Sequence, residues 1–426
     1  MSTQKMVESH PLWRRGGASA VPHSARGIMF RASEGSRGRT WLRFPGNTIR
    51  RLRTHSRFTH RFNAVLRAAG VTIDGPNPWD PQIRHPRVFT RLALHGALGA
   101  GESYMDGDWE CERLDELTAR LFRSGLYPRL ESHSVLSPGN LLARIANPQS
   151  RRKARRNVEA HYEIGNDVFE ATLGRTMSYT CAYWLEAKNL DEAQDAKHEL
   201  ACNKLKLSPG LRLLDIGCGW GGFSKHAAQR HQAQVTGVTL SRAQAEFARR
   251  TCDGLPVDVR LEDFRDTHVR FDRIVGMGVI EHVGPKNHRT FFQKVHENLA
   301  PDGLFLLQTI GCLRTTPGTD RWIDRYIFPN AVIPSASQLQ QASEGLLVLE
   351  DWHNFGADYD RTLMAWNANF EAAWPGLRER YDERFRRMWR YYLLTCAASF
   401  RVRRNQLWQI VFSKRGVPGG YQRVGR

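Results

Sequence analysis

The stretch LLDIGCGWGGFS, residues 213–224, runs from apolar residues into an acid and then into glycines at 217, 219, 221 and 222. Gly217, Gly219 and Gly222 satisfy the G-x-G-x-x-G spacing, in which glycines let the backbone approach an adenosine cofactor. A nicotinamide site also needs an acid about 20 residues on, at the end of the next strand, to take the ribose hydroxyls. Here that strand reads VTGVTLS and ends in Thr239, Leu240 and Ser241, with no acid and no arginine for a 2′-phosphate. A P-loop is excluded because no G-x-x-x-x-G-K-[ST] occurs. The acid just before the glycines, in Asp215-Ile-Gly-Cys-Gly, suits S-adenosylmethionine instead. The turn therefore points to methyl transfer rather than hydride transfer.

Around this turn, RLLDIG, AQVTGVTL, FDRIVGMG and GLFLLQTIG read as four short buried strands separated by helical patterns. Strands alternating with helices predict an α/β, doubly wound, Rossmann-like sheet that binds ligands beyond the carboxyl ends of its strands. Within LEDFRD, Asp263 offers a carboxylate to the adenine amine and Phe264 a ring beside the base. Thr239 and Gln244, with Leu240 beside them, offer neutral contacts where the ribose acid is missing.

The chain has 426 residues and a formal net charge of +19, which favours an anionic partner. Residues 1–60 hold twelve Lys/Arg against two acids and little apolar periodicity, so they read as a basic, disordered arm. Residues 61–150 read as a small, mainly helical N-terminal, lipid-associated domain, and 151–426 as the methyltransferase domain. The RRKARR run at 151–156 reads as a linker or a solvated helix start. Seven scattered cysteines without a C-x-x-C pair argue against a disulfide framework and a structural zinc site, so no metal is expected. No apolar run approaches the roughly 20 residues that span a bilayer. Phe385, Met388, Trp389, Tyr392, Leu393, Cys396, Ala397 and Phe400 make one apolar face of a long helix. Arg386, Arg387 and Arg390 lie off that face and read as a solvated basic side, with a lipid-facing role as the alternative.

The methyl acceptor is the remaining question. The [DNS]-P-P-[YFW] and Pro-Cys strings of base-methylating enzymes are absent, and the excess charge sits mostly in the arm, which argues against nucleic acid as a partner. HYEIGNDVFEATLGRTMSYTCAYW (161–184), IEHVGPKNH (280–288) and DWHNFGADYDRTLMAW (351–366) gather aromatics with one carboxylate, Glu281. Rings around a single acid suit a cationic intermediate and a held base. His161, Tyr162, His282, Trp352 and Trp366 read as packing or channel residues.

At these residues the sequence strongly resembles the cyclopropane-fatty-acyl-phospholipid synthases, from about residue 61 to the C-terminus. GESYMDGDWEC, HYEIGND, LDIGCGWGG, EHVGPKN, RYIFPN, DWHNFGADYD and LMAW recur in order. The resemblance implies methylene transfer from S-adenosylmethionine to the cis double bond of an unsaturated phospholipid chain, through a carbocation deprotonated by bound bicarbonate. It maps the bicarbonate pocket onto backbone groups of Cys181 and Ile310 and side chains of Glu281 and Tyr359. It maps the cofactor site onto Tyr179, Thr180, Gly217, Gly219, Thr239, Gln244 and Asp263. It also implies a homodimer, cytoplasmic and peripheral on the inner face of the membrane. The family's LLHTIG reads LLQTIG here, so Gln308 replaces a histidine of that pocket. Gln donates a hydrogen bond but neither carries charge nor relays a proton. A branched or hydroxylated product, or a weakened lipid-binding protein, is the alternative. Cys396 also matches a family cysteine, although its place on the apolar face reads as core.

Overall fold

The structure, a computed structural model, describes residues 62–64, 66–125, 149, 164–316 and 318–425. The basic arm, the 151–156 run, His161 and Tyr162 lie outside the described residues. The first described part is helical, as expected: α1 (Arg87–His95), α2 (Ala97–Met105) and α3 (Leu114–Arg123), with a short ribbon of β1 (Gln82–Ile83) and β2 (Trp109–Glu110). Helix α3 carries Asp115 and Glu116 in its first turn and Arg120 and Arg123 in its last, complementing the helix dipole. Leu66, Val88, Tyr104, Trp109, Leu114 and Leu117 form a local core here.

Beyond α4 (Asn166–Leu173) and α5 (Leu190–Lys204) lies a seven-stranded sheet. Its strands are β3 (Arg212–Ile216), β4 (Gln234–Thr239), β5 (Val257–Leu261), β6 (Phe271–Met277), β7 (Leu299–Cys312), β8 (Val348–Asn354) and β9 (Asn405–Ser413), in the order β5-β4-β3-β6-β7-β9-β8. The pairs β3/β4, β3/β6, β4/β5 and β6/β7 are parallel, and β9 is antiparallel to both its neighbours. The doubly wound sheet is therefore observed, with one reversed strand. The strand order reverses between β3 and β6, which places the ligand crevice at the end of β3. Four strands were legible in sequence. VDVRL (β5) was passed over because three of its five residues are only half-buried and one is exposed, so no apolar run marks it.

The C-terminal pair α12 (Ala357–Leu377) and α13 (Glu383–Arg401) follows α6 (Gly222–His231), α7 (Arg242–Thr251), α8 (Ile280–Val283), α9 (His288–Asn298), α10 (Arg321–Tyr326) and α11 (Ala336–Ser343). Helix α13 starts where the Asp382 side chain accepts from the Phe385 N–H at 2.8 Å. Its apolar face is buried as the periodicity predicts, with Cys396 half-buried against the same core. Its basic side differs from expectation. Arg387 donates to the Tyr104 and Trp109 carbonyls and pairs with Glu110 at 2.6 Å, its guanidinium 4.4 Å from the Tyr104 ring centre. Arg386 pairs with Glu371, and Arg390 donates to the Glu112 carbonyl. Arg387 and Arg390 tie α13 to the helical part ahead of the sheet and Arg386 ties it to α12, roles that helical periodicity cannot distinguish from solvation. Replacing Arg387 by Ala strips partners from two carbonyls and a carboxylate. We expect a loss of about 3 kcal/mol in urea unfolding, at the scale of charged hydrogen bonds.

Candidate functional site

The glycine turn closes β3, whose residues 213–216 are buried. Gly217 (φ +76°) and Gly219 (φ +55°) both sit in left-handed backbone. A Cβ on Gly217 would lie 2.5 Å from Val279 Cγ2, whereas one on Gly219 would meet nothing within 4 Å. The first glycine is thus required by packing and the second by the open space it faces. The Gly217 and Cys218 N–H groups both donate to the Val238 carbonyl, at 2.9 and 3.1 Å. Asp215 accepts from Ser224 Oγ at 2.6 Å, and burial pushes its carboxyl up to about 6. Its role is therefore to bind the turn to the start of α6.

One cavity opens at this turn, and it is lined by all nine predicted cofactor residues: Tyr179, Thr180, Gly217, Gly219, Thr239, Leu240, Gln244, Asp263 and Phe264. Thr239 Oγ1 donates to Gln244 Oε1 at 2.9 Å, so the two neutral groups hold one another in place. Asp263 is ion-paired with Arg265 at 2.6 Å and caps the short 3-10 turn Phe264–Asp266. Phe264 is half-buried, its ring 5.3 Å from that of Phe291. The open cavity at glycines without Cβ atoms, flanked by a ring and a carboxylate, fits an adenosine cofactor.

The five predicted catalytic residues lie outside that lining, and Tyr359 is joined to it through Trp366 and Tyr179. The Tyr179 ring lies 5.4 Å from Trp366, which lies 6.0 Å from Tyr359, which lies 4.5 Å from Phe400. Tyr179 also donates its hydroxyl to Tyr392 at 2.9 Å. Cys181, next to Thr180 in the chain, is fully buried in this aromatic cluster, and burial raises its thiol well above the ordinary value. A thiol so held is no nucleophile.

Glu281 follows β6 at the start of α8 and is buried. Its Oε1 accepts from the Ile310 N–H at 2.8 Å, and its Oε2 is buried without a hydrogen-bond partner among the described residues. Burial pushes this carboxyl up to about 6. The Ile310 backbone is thus already engaged: its N–H by Glu281 and its carbonyl by Thr309 Oγ1 at 2.9 Å. Gln308, two residues before Ile310 on β7 and so on the same face, accepts from Gln409 Nε2 at 2.9 Å through its Oε1. Its Nε2 is also buried and unpartnered among the described residues. On these residues the orphan acceptors Glu281 Oε2 and Gln409 Oε1 and the orphan donor Gln308 Nε2 remain. Bicarbonate, with one O–H and several acceptor oxygens, has the complementary set.

Three other sequence candidates fall elsewhere. Trp352 packs against Trp408 at 5.0 Å in a separate core. His353 is buried 3.0 Å from Lys204 Nζ. Tyr183 faces His353 and Phe355. Strand β8 carries Trp352 and His353 to the sheet edge, while α12 returns Tyr359 and Trp366 to the site. His282 lines the cofactor cavity, packs edge-on against Phe328 at 5.6 Å, and is pushed down to about 4 by burial, consistent with a packing role. The sequence reading missed Lys197, Ser178 and His198, which line the same cavity. A lysine and a histidine inside an AQDAKHEL helix carry no signal that separates them from a solvated face.

Residues 149–410 match the family model for mycolic acid cyclopropane synthetase. The chain is 50% identical over 364 residues to the cyclopropane-fatty-acyl-phospholipid synthase of Escherichia coli K12, covering 85% of this chain and 95% of that one. It is 31% identical over 386 residues to the tuberculostearic acid methyltransferase UfaA1 of Mycobacterium tuberculosis, covering 84% and 90%. Among solved structures, the cyclopropane synthase MmaA2 of M. tuberculosis aligns with a TM-score of 0.58 at 32% identity, covering 61% of this chain and 98% of that one. The mycolic acid cyclopropane synthase CmaA1, complexed with SAH and CTAB, aligns with the same score and coverage at 31% identity.

Proposed function

This chain belongs to the mycolic acid cyclopropane synthetase family of S-adenosylmethionine-dependent methyltransferases, and we propose that it converts the cis double bond of unsaturated phospholipid acyl chains into a cyclopropane. The observation that carries the reading is the buried Glu281, with an unpartnered oxygen, next to an aromatic cluster that begins at the cofactor cavity.

An alkene is a poor nucleophile, so the chain must align it with the donor and exclude water. S-adenosylmethionine supplies an electrophilic methyl, and bound bicarbonate would supply the base. Tyr179, Trp366, Tyr359 and Phe400 offer ring faces to the carbocation left on the acyl chain, each worth about 0.5–2 kcal/mol. Loss of one proton from the new methyl gives its C–H electrons to the cation and closes the ring. Glu281 Oε2 would accept from this base and Gln308 Nε2 would donate to it. Cys181 and Ile310 shape the pocket wall. Vesicles of a cis-monounsaturated phospholipid test this directly. Turnover should fall at least about tenfold when bicarbonate is stripped from the buffer. Unchanged turnover would remove bicarbonate from the site.

Gln308 carries a second reading. Its amide is held by Gln409 and cannot relay a proton, so capture of the cation as a branched or hydroxylated chain competes with ring closure, and at the extreme only lipid binding remains. Gln308→His restores a titratable group. We expect its rate to rise several-fold more steeply between pH 6 and 7 than that of the parent, whose only rise there comes from Glu281, read as cyclopropane product per minute.

No helix among the described residues is long and apolar enough to cross a membrane. With a net charge of +19 and exposed Leu94 and Leu313, we read the enzyme as peripheral on an anionic membrane, on the cytoplasmic face, and as a homodimer like its family.

A further inference from the structure

We propose that Lys197 forms an anion subsite at the glycine-turn end of the cofactor cavity and holds the carboxylate of the methionyl group of S-adenosylmethionine. The inference rests on the cofactor reading above and adds to it a residue that no motif marks.

Lys197 lies on α5 with only 1% of its surface exposed, yet it lines the cavity together with Thr180, Gly217 and Gly219. Its Nζ donates to Thr180 Oγ1 at 3.0 Å. An ammonium has three donors, and no carboxylate among the described residues lies within ion-pair distance of this one. The charged and titratable groups that face it are otherwise committed. Asp215, from β3, accepts from Ser224. Asp195, on the same helix, pairs with Arg175 at 2.5 Å. His198 sits 2.9 Å from Ser178 Oγ, and Cys181, from the segment before α5, is a buried thiol. A buried ammonium without a counterion is strongly disfavoured. Burial accordingly pulls Lys197 down to about 7. A carboxylate entering the cavity would supply both the counterion and acceptors for the two spare N–H groups. S-adenosylmethionine carries a single carboxylate, at the methionyl end, and Gly217 and Gly219, whose bare backbone lets such a group approach, are within the same lining.

Calorimetry with two ligands tests the assignment. S-adenosylhomocysteine keeps the carboxylate, whereas 5′-methylthioadenosine keeps the adenosine and sulfur but lacks the amino-acid tail. Lys197→Met should weaken S-adenosylhomocysteine by about tenfold or more and change 5′-methylthioadenosine by less than about twofold. The unaltered protein gives a second reading that needs no variant. Binding of the carboxylate favours the charged amine, so S-adenosylhomocysteine affinity should fall as pH rises above about 7, while 5′-methylthioadenosine affinity stays flat. Equal weakening of both ligands in Lys197→Met, or matching pH profiles for the two ligands, would overturn the assignment and leave Lys197 a structural residue. Failure of the unaltered protein to bind either ligand would instead overturn the cofactor reading on which the assignment rests.

Discussion

Glu281→Gln should lower kcat by about a thousandfold while leaving S-adenosylhomocysteine affinity within about twofold. The carboxylate has one oxygen on the Ile310 N–H and one oxygen free and buried. Gln keeps the size, but with its amide oxygen on the Ile310 N–H it turns a donor where the base needs an acceptor, and flipped it sets its NH2 against the Ile310 N–H, donor against donor. The parent rate should rise with pH through about 6 as Glu281 ionises, measured at constant bicarbonate concentration, and the variant should lose that limb. Stability moves the other way. Because burial raises the folded value from 4.5 to about 6, the native state holds this proton more tightly than the unfolded chain. That contribution is fully present below about 4.5 and is lost as pH rises through about 6. The difference is worth about 2 kcal/mol. At pH 8 the variant should therefore unfold at equal or higher urea than its parent. An inactive variant with lowered stability at pH 8 would point to a structural acid instead.

Gly219→Val should weaken S-adenosylhomocysteine binding by at least about a hundredfold and abolish turnover with it. The left-handed backbone there costs a side chain about 1–2 kcal/mol. A new Cβ would meet no protein atom, so the isopropyl group projects into open space and the fold survives. Gly217→Val contrasts with it, because its Cβ would collide with Val279 at 2.5 Å and should destabilise the turn itself. Calorimetry and thermal melts on both variants separate the two effects. Binding by Gly219→Val within about threefold of the parent would take the turn out of the cofactor site.

The sequence was most informative where local chemistry and geometry coincide. The glycine spacing, the acid ahead of it and the apolar run before it marked the turn that lines the cavity, and the 3.6-residue periodicity of α13 placed its buried face. It was least informative where meaning depends on distant partners. Gly217, Thr239 and Phe264 converge on one cavity only because β3, β4 and β5 end side by side. Arg387 looked solvated because Tyr104, Trp109 and Glu110 are remote in sequence. Trp352, His353, Tyr359 and Trp366 share one motif, but the end of β8 sends the first two to the sheet edge and the last two inward. Gln308 was visible as a departure from the family string, whereas its bond to Gln409 required the β7/β9 register.

The most direct measurement is the isotopic composition of the product. Purified protein, S-adenosylmethionine with a trideuterated methyl and vesicles of a cis-monounsaturated phospholipid are incubated with bicarbonate, and the acyl chains are read by gas chromatography–mass spectrometry. The account predicts a cyclopropane that retains two deuteriums, because one is lost to the base as the ring closes. A chain that carries all three deuteriums as a branched or hydroxylated methyl product, or no label at all, would contradict it.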